Sequence, residues 1–242
     1  MAEPRDLQSR VTGYVLAGGC STRMGADKSL LELAGVPLVE RAVKKLQVLP
    51  CTARILSARA ELERYAPLVP DLRSGCGPLG GIEAALSDAA TDWALVLPVD
   101  VPFIPSALLR WRVAAVLDDP AARVAFFSVD GAPQPALCMV HRELLPLVSK
   151  AIDESRLKLL AAFECAADEF AVSRGVKVDE VLKVFELNEV SLEDVFTLIG
   201  STSEYGQISP RQKAATKLWF ANLNTHEEFA RACEAVDALE SF

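Results

Sequence analysis

Residues 15–28 carry the sequence VLAGGCSTRMGADK, which starts inside an apolar run and passes through a pair of glycines. The run Val11 to Ala17 predicts a buried strand, and Gly18-Gly19 allows the chain to turn there with unusual dihedral angles. Main-chain N–H groups in such a turn form a cradle for anions. Arg23 offers a planar fork to phosphate oxygens, and Lys28 offers a compact charge on a flexible stem. The stretch therefore predicts a strand followed by a phosphate-binding loop.

This loop differs from the two common phosphate-binding patterns. Neither G-x-x-x-x-G-K-[ST] nor G-x-G-x-x-G occurs near the strand, which excludes a P-loop and a dinucleotide fingerprint. Taken singly, a glycine pair after a strand is most often a simple turn, and a lone Arg or Lys is usually a solvated surface charge. The functional reading therefore depends on the complete pattern.

The rest of the chain alternates helical periodicity with short apolar runs, which predicts one α/β domain over residues 1–242. The fold class that we expect is a three-layer, mostly parallel but mixed sheet with helices on both faces, as in Rossmann-like proteins. Predicted strands are 54–58, 93–100, 123–129 and 136–140, and predicted helices are 38–46, 82–90, 105–118, 142–152 and 157–167. The last two strands form a predicted hairpin around the turn at 130–133.

The pattern weakens near the C-terminus. Residues 169–217 mix apolar pieces with a polar segment and are predicted to be an insertion within the domain. The apolar run Leu218 to Leu223 predicts a strand. Thr225, followed three residues later by Glu228, predicts a capped helix start.

Composition and charge narrow the classes of function. The formal net charge is −8, which argues against a nucleic-acid partner. The sequence has no run of 18 apolar residues and no basic, apolar leader, so a cytoplasmic protein without a membrane span is expected. Six scattered cysteines without C-x-x-C spacing suggest neither a zinc site nor a disulfide framework.

Three further features are candidates for the same site. Residues 75–81 form a second glycine-rich loop that opens into a helix, and Asp71 ends an extended segment just before it. Asp100 ends the apolar run 93–100 and should emerge at the carboxyl end of a central strand, where ligands bind in open α/β sheets. A carboxylate there suits Mg²⁺, although a helix or turn cap is the plain alternative.

Residues 16–28, followed by Leu30 to Leu38, closely resemble the signature of the molybdenum cofactor guanylyltransferase family, within the nucleotidyltransferases of the nucleotide-sugar type. The segment LPVDVPFIP at 97–105 is similar to the family segment that carries the magnesium-binding aspartate. Residues 70–81 are similar to the nucleotide-side loop, and FANLNT at 220–225 resembles the family's segment near the reaction centre.

The resemblance implies a nucleotidyltransferase fold and the transfer of GMP from GTP to the terminal phosphate of molybdopterin, with release of pyrophosphate. It implies Mg²⁺ as cofactor and a molybdoenzyme or another cofactor-biosynthesis protein as partner. Catalytic roles fall on Arg23, Lys28 and Asp100, with Asp100 as the metal ligand. The residues implied to contact GTP are Leu16, Ala17, Gly18, Gly19, Lys28, Asp71 and Asp100. The resemblance indicates Asn222 and Asn224 less strongly, and their side chains would orient metal or phosphate.

Some choices stay open at this point. Asp71 could accept hydrogen bonds from guanine or from the ribose hydroxyls. Ser57 stands where the family often has a nucleotide-contacting asparagine, so that contact is in question. Two other functions compete with guanylyl transfer: a related nucleotidyltransferase that uses CTP or a sugar phosphate, and a catalytically silent nucleotide-binding regulator.

Overall fold

The computed structural model describes residues 9–18, 27–49 and 51–240. Gly19 and Arg23, both predicted to bind phosphate, lie outside these ranges. In the described part of the chain, seven strands form the central sheet: β1 (Val11–Leu16), β2 (Thr52–Leu56), β3 (Leu68–Val69), β4 (Trp93–Pro98), β5 (Val124–Val129), β6 (Ala132–His141) and β7 (Leu182–Leu187). The longer helices are α1 (Leu38–Val48), α2 (Gly77–Asp88), α3 (Ser106–Leu117), α4 (Leu145–Asp153), α5 (Leu159–Arg174), α6 (Glu189–Gly200) and α7 (His226–Glu234).

The sheet is mixed but mostly parallel, with strand order β3-β2-β1-β4-β6-β5-β7. β6 runs antiparallel to both of its neighbours, β4 and β5, and the other pairings are parallel. β2 and β3 lie on one side of β1, whereas β4 and all later strands lie on its other side. The strand order therefore reverses between β1 and β4, which are hydrogen-bonded neighbours. A crevice at the carboxyl ends of strands is expected at this switch point.

Two apolar clusters cover the two faces of the sheet. One contains buried residues of α1, α3 and α6, and the other contains buried residues of α2, α4 and α5. In β4, Leu95 and Leu97 belong to the first cluster, whereas Ala94 and Val96 belong to the second. Side chains alternate between faces along a strand, so a strand buried on both sides needs a continuous apolar run. The three-layer α/β prediction is confirmed.

Three of the predicted elements need correction. The hairpin is present, but its second strand begins at Ala132, so the turn is shorter than the predicted 130–133. The strand expected over Leu218 to Leu223 is wrong, because the chain forms successive tight turns there: Trp219 N donates to Thr216 O over 3.1 Å and Ala221 N donates to Leu218 O over 3.1 Å. The apolar character reflects the burial of Trp219 in the core. In addition, α2 begins at Gly77, whereas the helix was predicted to begin at residue 82, after the glycine-rich loop. The earlier start is possible because a proline such as Pro78 is well tolerated in the first turn of a helix.

The segment predicted to be an insertion, 169–217, contributes β7 to the edge of the sheet and α6 to one of its faces. β7 pairs in parallel with β5 from Val124 and Leu182 to Val129 and Leu187. Whether these residues are an insertion relative to similar proteins stays a prediction, as does the single-domain assignment. None of the helices in the described ranges is both long enough and apolar enough to cross a membrane.

Candidate active site

The ends of β1 and β4 form the floor of the candidate site. Val99 N donates to Leu16 O over 3.2 Å, which ties the two strands together just beyond their last paired residues. Ala17 is buried and Gly18 is exposed at this edge. A β-carbon on Gly18 would lie 3.6 Å from Leu56 O, in ordinary van der Waals contact. The chain thus passes close to the end of β2 as it leaves β1.

Lys28, Asp100 and Asn224 meet at this edge, although they are far apart in sequence. Lys28 Nζ donates to Asp100 Oδ2 over 2.7 Å and to Asn224 Oδ1 over 2.6 Å. The side chains of Lys28 and Asp100 are 14% and 18% exposed, so the charges are partly shielded from water but accessible to a small ligand. The structure therefore brings together three of the predicted site residues.

Local structure explains how each member of this cluster is held. Lys28 opens a short 3₁₀ turn, Lys28–Leu30, whose cap Asp27 accepts a hydrogen bond from Ser29 N over 3.0 Å. Leu223 N donates to Asp100 O over 3.1 Å, which fastens the Asn-rich segment to the end of β4.

The start of α7 fixes the other side of the cluster. Thr225 and Glu228 form a reciprocal capping box there, as predicted, and Glu228 Oε2 also accepts from Asn224 N over 2.8 Å. Asn222 is exposed, and its carbonyl accepts from Asn224 N over 3.0 Å. The capped helix therefore places the Asn224 amide beside Lys28.

Asp71 lies beside the first turn of α2 rather than in the lysine cluster. A β-carbon on Gly81 would lie 2.9 Å from Leu16 Cδ1 and 3.9 Å from Asp71 Oδ1, and one on Gly80 would lie 3.8 Å from Asp71 Oδ2. The absence of a side chain on Gly81 therefore leaves room for Leu16 at the end of β1. Partial burial raises the pKa of the Asp71 carboxyl above its ordinary value. Asp71 therefore marks a second side of the same sheet edge.

Sequence reasoning missed Arg59. It follows β2 at the carboxyl edge, and its Nη2 donates to Ala17 O over 2.6 Å and to Ser29 Oγ over 2.8 Å. Its Nη1 pairs with Asp27. Ser57 Oγ accepts from Arg59 N over 3.2 Å and from Arg59 Nε over 3.3 Å. A basic residue just beyond a predicted parallel strand is the signal that could have identified it.

The residues present suit a hard divalent cation better than a soft one. No group of three or more His, Cys, Asp and Glu side chains in the described ranges is arranged to hold a metal ion. Asp100 and Asn224 instead direct a carboxylate and an amide oxygen at the ammonium of Lys28. Mg²⁺ is typically bound by one or two carboxylates together with substrate phosphates, so this donor set fits it.

A family model described as "MobA-like NTP transferase domain" matches residues 13–169. The chain belongs to this family. The match includes Gly18, Lys28, Asp71 and Asp100 but ends before Asn224, so the place of that residue in the site is argued from its contacts in the structure.

Individual relatives agree with the family match. A molybdenum cofactor guanylyltransferase of Vibrio atlanticus is 35% identical over 169 residues, which cover 67% of this chain and 85% of the relative. A protein of the same name from Serratia proteamaculans is 32% identical over 167 residues, which cover 66% of this chain and 82% of the relative. The resemblance to this group that the sequence motifs indicated is thus confirmed.

Solved structures confirm the fold. The crystal structure of molybdopterin-guanine dinucleotide biosynthesis protein A from Archaeoglobus fulgidus matches with a TM-score of 0.63 at 21% identity, covering 93% of this chain and 98% of that one. A nucleotidyl transferase from Methanothermobacter thermautotroptrophicus matches with a TM-score of 0.61 at 15% identity, covering 94% and 97%. The nucleotidyltransferase fold expected from the sequence is therefore present.

Proposed function

We propose that this protein transfers GMP from GTP to the terminal phosphate of molybdopterin and releases pyrophosphate. The observation that carries the proposal is the cluster of Lys28, Asp100 and Asn224 at the carboxyl ends of β1 and β4. The names of the relatives supply the acceptor and the nucleotide. A molybdoenzyme or another cofactor-biosynthesis protein that receives the product stays a prediction.

The reaction needs little covalent chemistry from the protein. The attacking oxygen belongs to a phosphate, which is already ionised near neutral pH, so positioning and charge stabilisation supply most of the catalysis. His141 pairs with Trp93 at the opposite end of β4, roughly 20 Å along the strand from Asp100. Burial and the Arg123 guanidinium lower the pKa of His141. This histidine is therefore remote from the reacting phosphates.

Lys28 is the described cation best placed to bind the phosphates of GTP. Its ammonium now lies between two oxygen acceptors, and phosphate oxygens would compete with them for its N–H donors. Asp100, with Asn224 beside it, would hold Mg²⁺, which when bound supplies further neutralisation of phosphate charge. The Gly18 backbone would face the same phosphates, and Gly19 and Arg23 are proposed to assist.

Asp71 would bind the nucleoside. Its carboxylate flanks the glycine-rich start of α2, close to Gly80 and Gly81, and the residue is exposed to solvent. It can accept hydrogen bonds either from the ring N–H and amino group of guanine or from the ribose hydroxyls. Only the first of these contacts discriminates guanine from cytosine.

Substrate preference tests the function directly. Pyrophosphate release would be measured with the purified protein, Mg²⁺, molybdopterin and each of GTP, CTP, ATP and UTP in turn. We expect GTP to have the highest kcat/KM, by about a hundredfold over CTP, because a site built for hydrogen bonds rejects a base that leaves them unmade. Reactions without molybdopterin, or with sugar phosphates in its place, are the controls.

Two results would contradict the proposal. A preference for CTP or for a sugar-phosphate acceptor would indicate the related nucleotidyltransferase. GTP binding without pyrophosphate release under every condition would indicate a catalytically silent regulator.

Replacing Lys28 with methionine is expected to lower kcat by about a hundredfold, since one charge that stabilises the phosphates is lost. The matched control is Lys44→Met, which removes a partly exposed lysine that pairs with Glu40 over 2.8 Å on α1. That variant should keep the activity of the parent. Steady-state kinetics of pyrophosphate release measures both variants. A Lys28→Met variant with the kcat of the parent would show that Lys28 is dispensable.

A further inference from the structure

Arg59 connects the end of β1 to the segment that carries Lys28. Its guanidinium donates to Ala17 O and Ser29 Oγ through Nη2 and pairs with Asp27 through Nη1. Asp27 and Ser29 are the two neighbours of Lys28 in the chain. One planar group thus contacts both sides of the residue whose ammonium binds Asp100.

The two acceptors that Arg59 Nη2 contacts are buried and depend on it for their hydrogen bonds. Ser29 is 1% exposed, and Ala17 is 3% exposed, so both receive their hydrogen bonds away from bulk water. A buried hydroxyl or carbonyl that loses its donor is destabilised by the cost of desolvation. The rigid fork of a guanidinium satisfies several acceptors at once, which the ammonium of a lysine does less well.

Ser57 in turn orients Arg59. Its hydroxyl is the acceptor for both the main-chain N–H and the Nε of Arg59, and the residue is 6% exposed. The family resemblance left open whether Ser57 replaces a nucleotide contact. The contacts here indicate a different task for this side chain, which is to set the direction of the arginine.

We propose that Arg59 is a positioning residue that holds Lys28 against Asp100, and that Ser57 supports it. The inference rests on the proposed function of the lysine cluster. Direct phosphate binding by Arg59 is less favoured, because its Nε, Nη1 and Nη2 atoms all have partners within the protein. Arg59 acts through the main chain of residues 27–29 on the placement of the Lys28 ammonium.

Chemical labelling of Lys28 tests the proposal independently of enzymatic activity. Acetic anhydride would be applied to the full chain without nucleotide, and acetylation of Lys28 would be followed by mass spectrometry, with Lys44 as the internal reference. The Lys28 side chain is only 14% exposed and lies against its two acceptors, which shields it from the reagent. Arg59→Met releases the segment that carries Lys28 and should therefore raise its labelling rate by about fivefold. The matched control is Arg64→Met, since Arg64 is exposed and contacts only its neighbour Tyr65 among the interactions described.

Kinetics then separates positioning from direct binding. Arg59→Met should lower kcat/KM for GTP by about thirtyfold in the parent but by less than about threefold in a Lys28→Met background, because residues that act as a unit are not additive. Arg59→Lys should recover only part of the loss. Circular dichroism establishes that each variant is folded.

The outcomes are distinguishable from a failure of the proposed function. Unchanged labelling of Lys28 in folded Arg59→Met overturns the positioning role, whether or not the chain transfers GMP. Equal losses in the parent and in the Lys28→Met background also overturn it, because they show an independent contact with nucleotide. If Arg59→Met does not fold, Ser57→Ala and Ser29→Ala replace it, and a parent-like Lys28 labelling rate in both overturns the proposal.

Discussion

Replacing Asp100 with asparagine is expected to lower kcat by about a thousandfold, the largest effect on activity that we predict. The substitution removes the carboxylate charge from the cluster and leaves an amide of nearly the same shape. It therefore weakens the proposed Mg²⁺ site and leaves Lys28 beside two neutral amides. The main-chain bond from Leu223 N to Asp100 O does not involve the side chain, so the fold should be retained.

Two measurements separate loss of the metal site from general damage. Mg²⁺ titration of the residual activity should require at least about tenfold more metal for half-maximal rate than the parent, because a carboxylate ligand has become neutral. Asp92→Asn is the matched control, since Asp92 is exposed and immediately precedes the opposite end of β4. An Asp100→Asn variant with parental kcat and parental Mg²⁺ dependence would remove Asp100 from the metal site.

The second large effect concerns stability. Glu240→Ala is expected to lower the free energy of unfolding by about 3 kcal/mol, because the change leaves a buried charge without its carboxylate partner. Lys45 is 2% exposed and donates to Glu240 Oε2 over 2.7 Å. Glu240 also accepts from Ser106 N over 2.8 Å and from Ser106 Oγ over 2.7 Å, at the start of α3. The C-terminal segment is thus fastened to two helices at once.

Urea unfolding at pH 7 measures this loss. The control is Glu234→Ala, which changes an exposed glutamate at the end of α7 and should shift the free energy of unfolding by less than about 0.5 kcal/mol. If Glu240→Ala unfolds with a free energy within this margin of the parent, the ion pair contributes nothing to stability.

The pH dependence of stability has a defined sign. Burial raises the pKa of Glu240, but the Lys45 ammonium and the hydrogen bonds from Lys45 and Ser106 outweigh this effect and hold it below the ordinary glutamate value of 4.5. The stabilisation from this group is therefore fully present above that value and is lost as the pH falls through the lowered pKa. The difference in unfolding free energy between parent and Glu240→Ala should narrow in acid.

Much of the fold could be predicted because its signals are local. The continuous apolar run of β4 reflects burial on both faces of a sheet, and the box of Thr225 and Glu228 closes within one helical turn. The run at 218–223 had the same apolar character as a strand but was predicted wrongly. Its hydrogen bonds join residues three apart, and apolar composition does not distinguish a buried turn from a buried strand.

In the candidate site, too, local motifs predicted some of the residues, whereas contacts between distant parts of the chain came only from the structure. The sequence by itself predicted Lys28, Asp71 and Asp100 as site residues, through motifs in which residue types and spacing are fixed over short distances, and all three lie within the family match. Tertiary structure alone decided that Asn224 lies 2.6 Å from Lys28, that Arg59 holds the neighbours of Lys28 and that Glu240 partners Lys45. Each of these contacts joins residues from separate elements. The first two meetings depend on how β1, β2 and β4 are ordered in the sheet, and the third depends on where the C-terminal segment packs, neither of which a local pattern encodes.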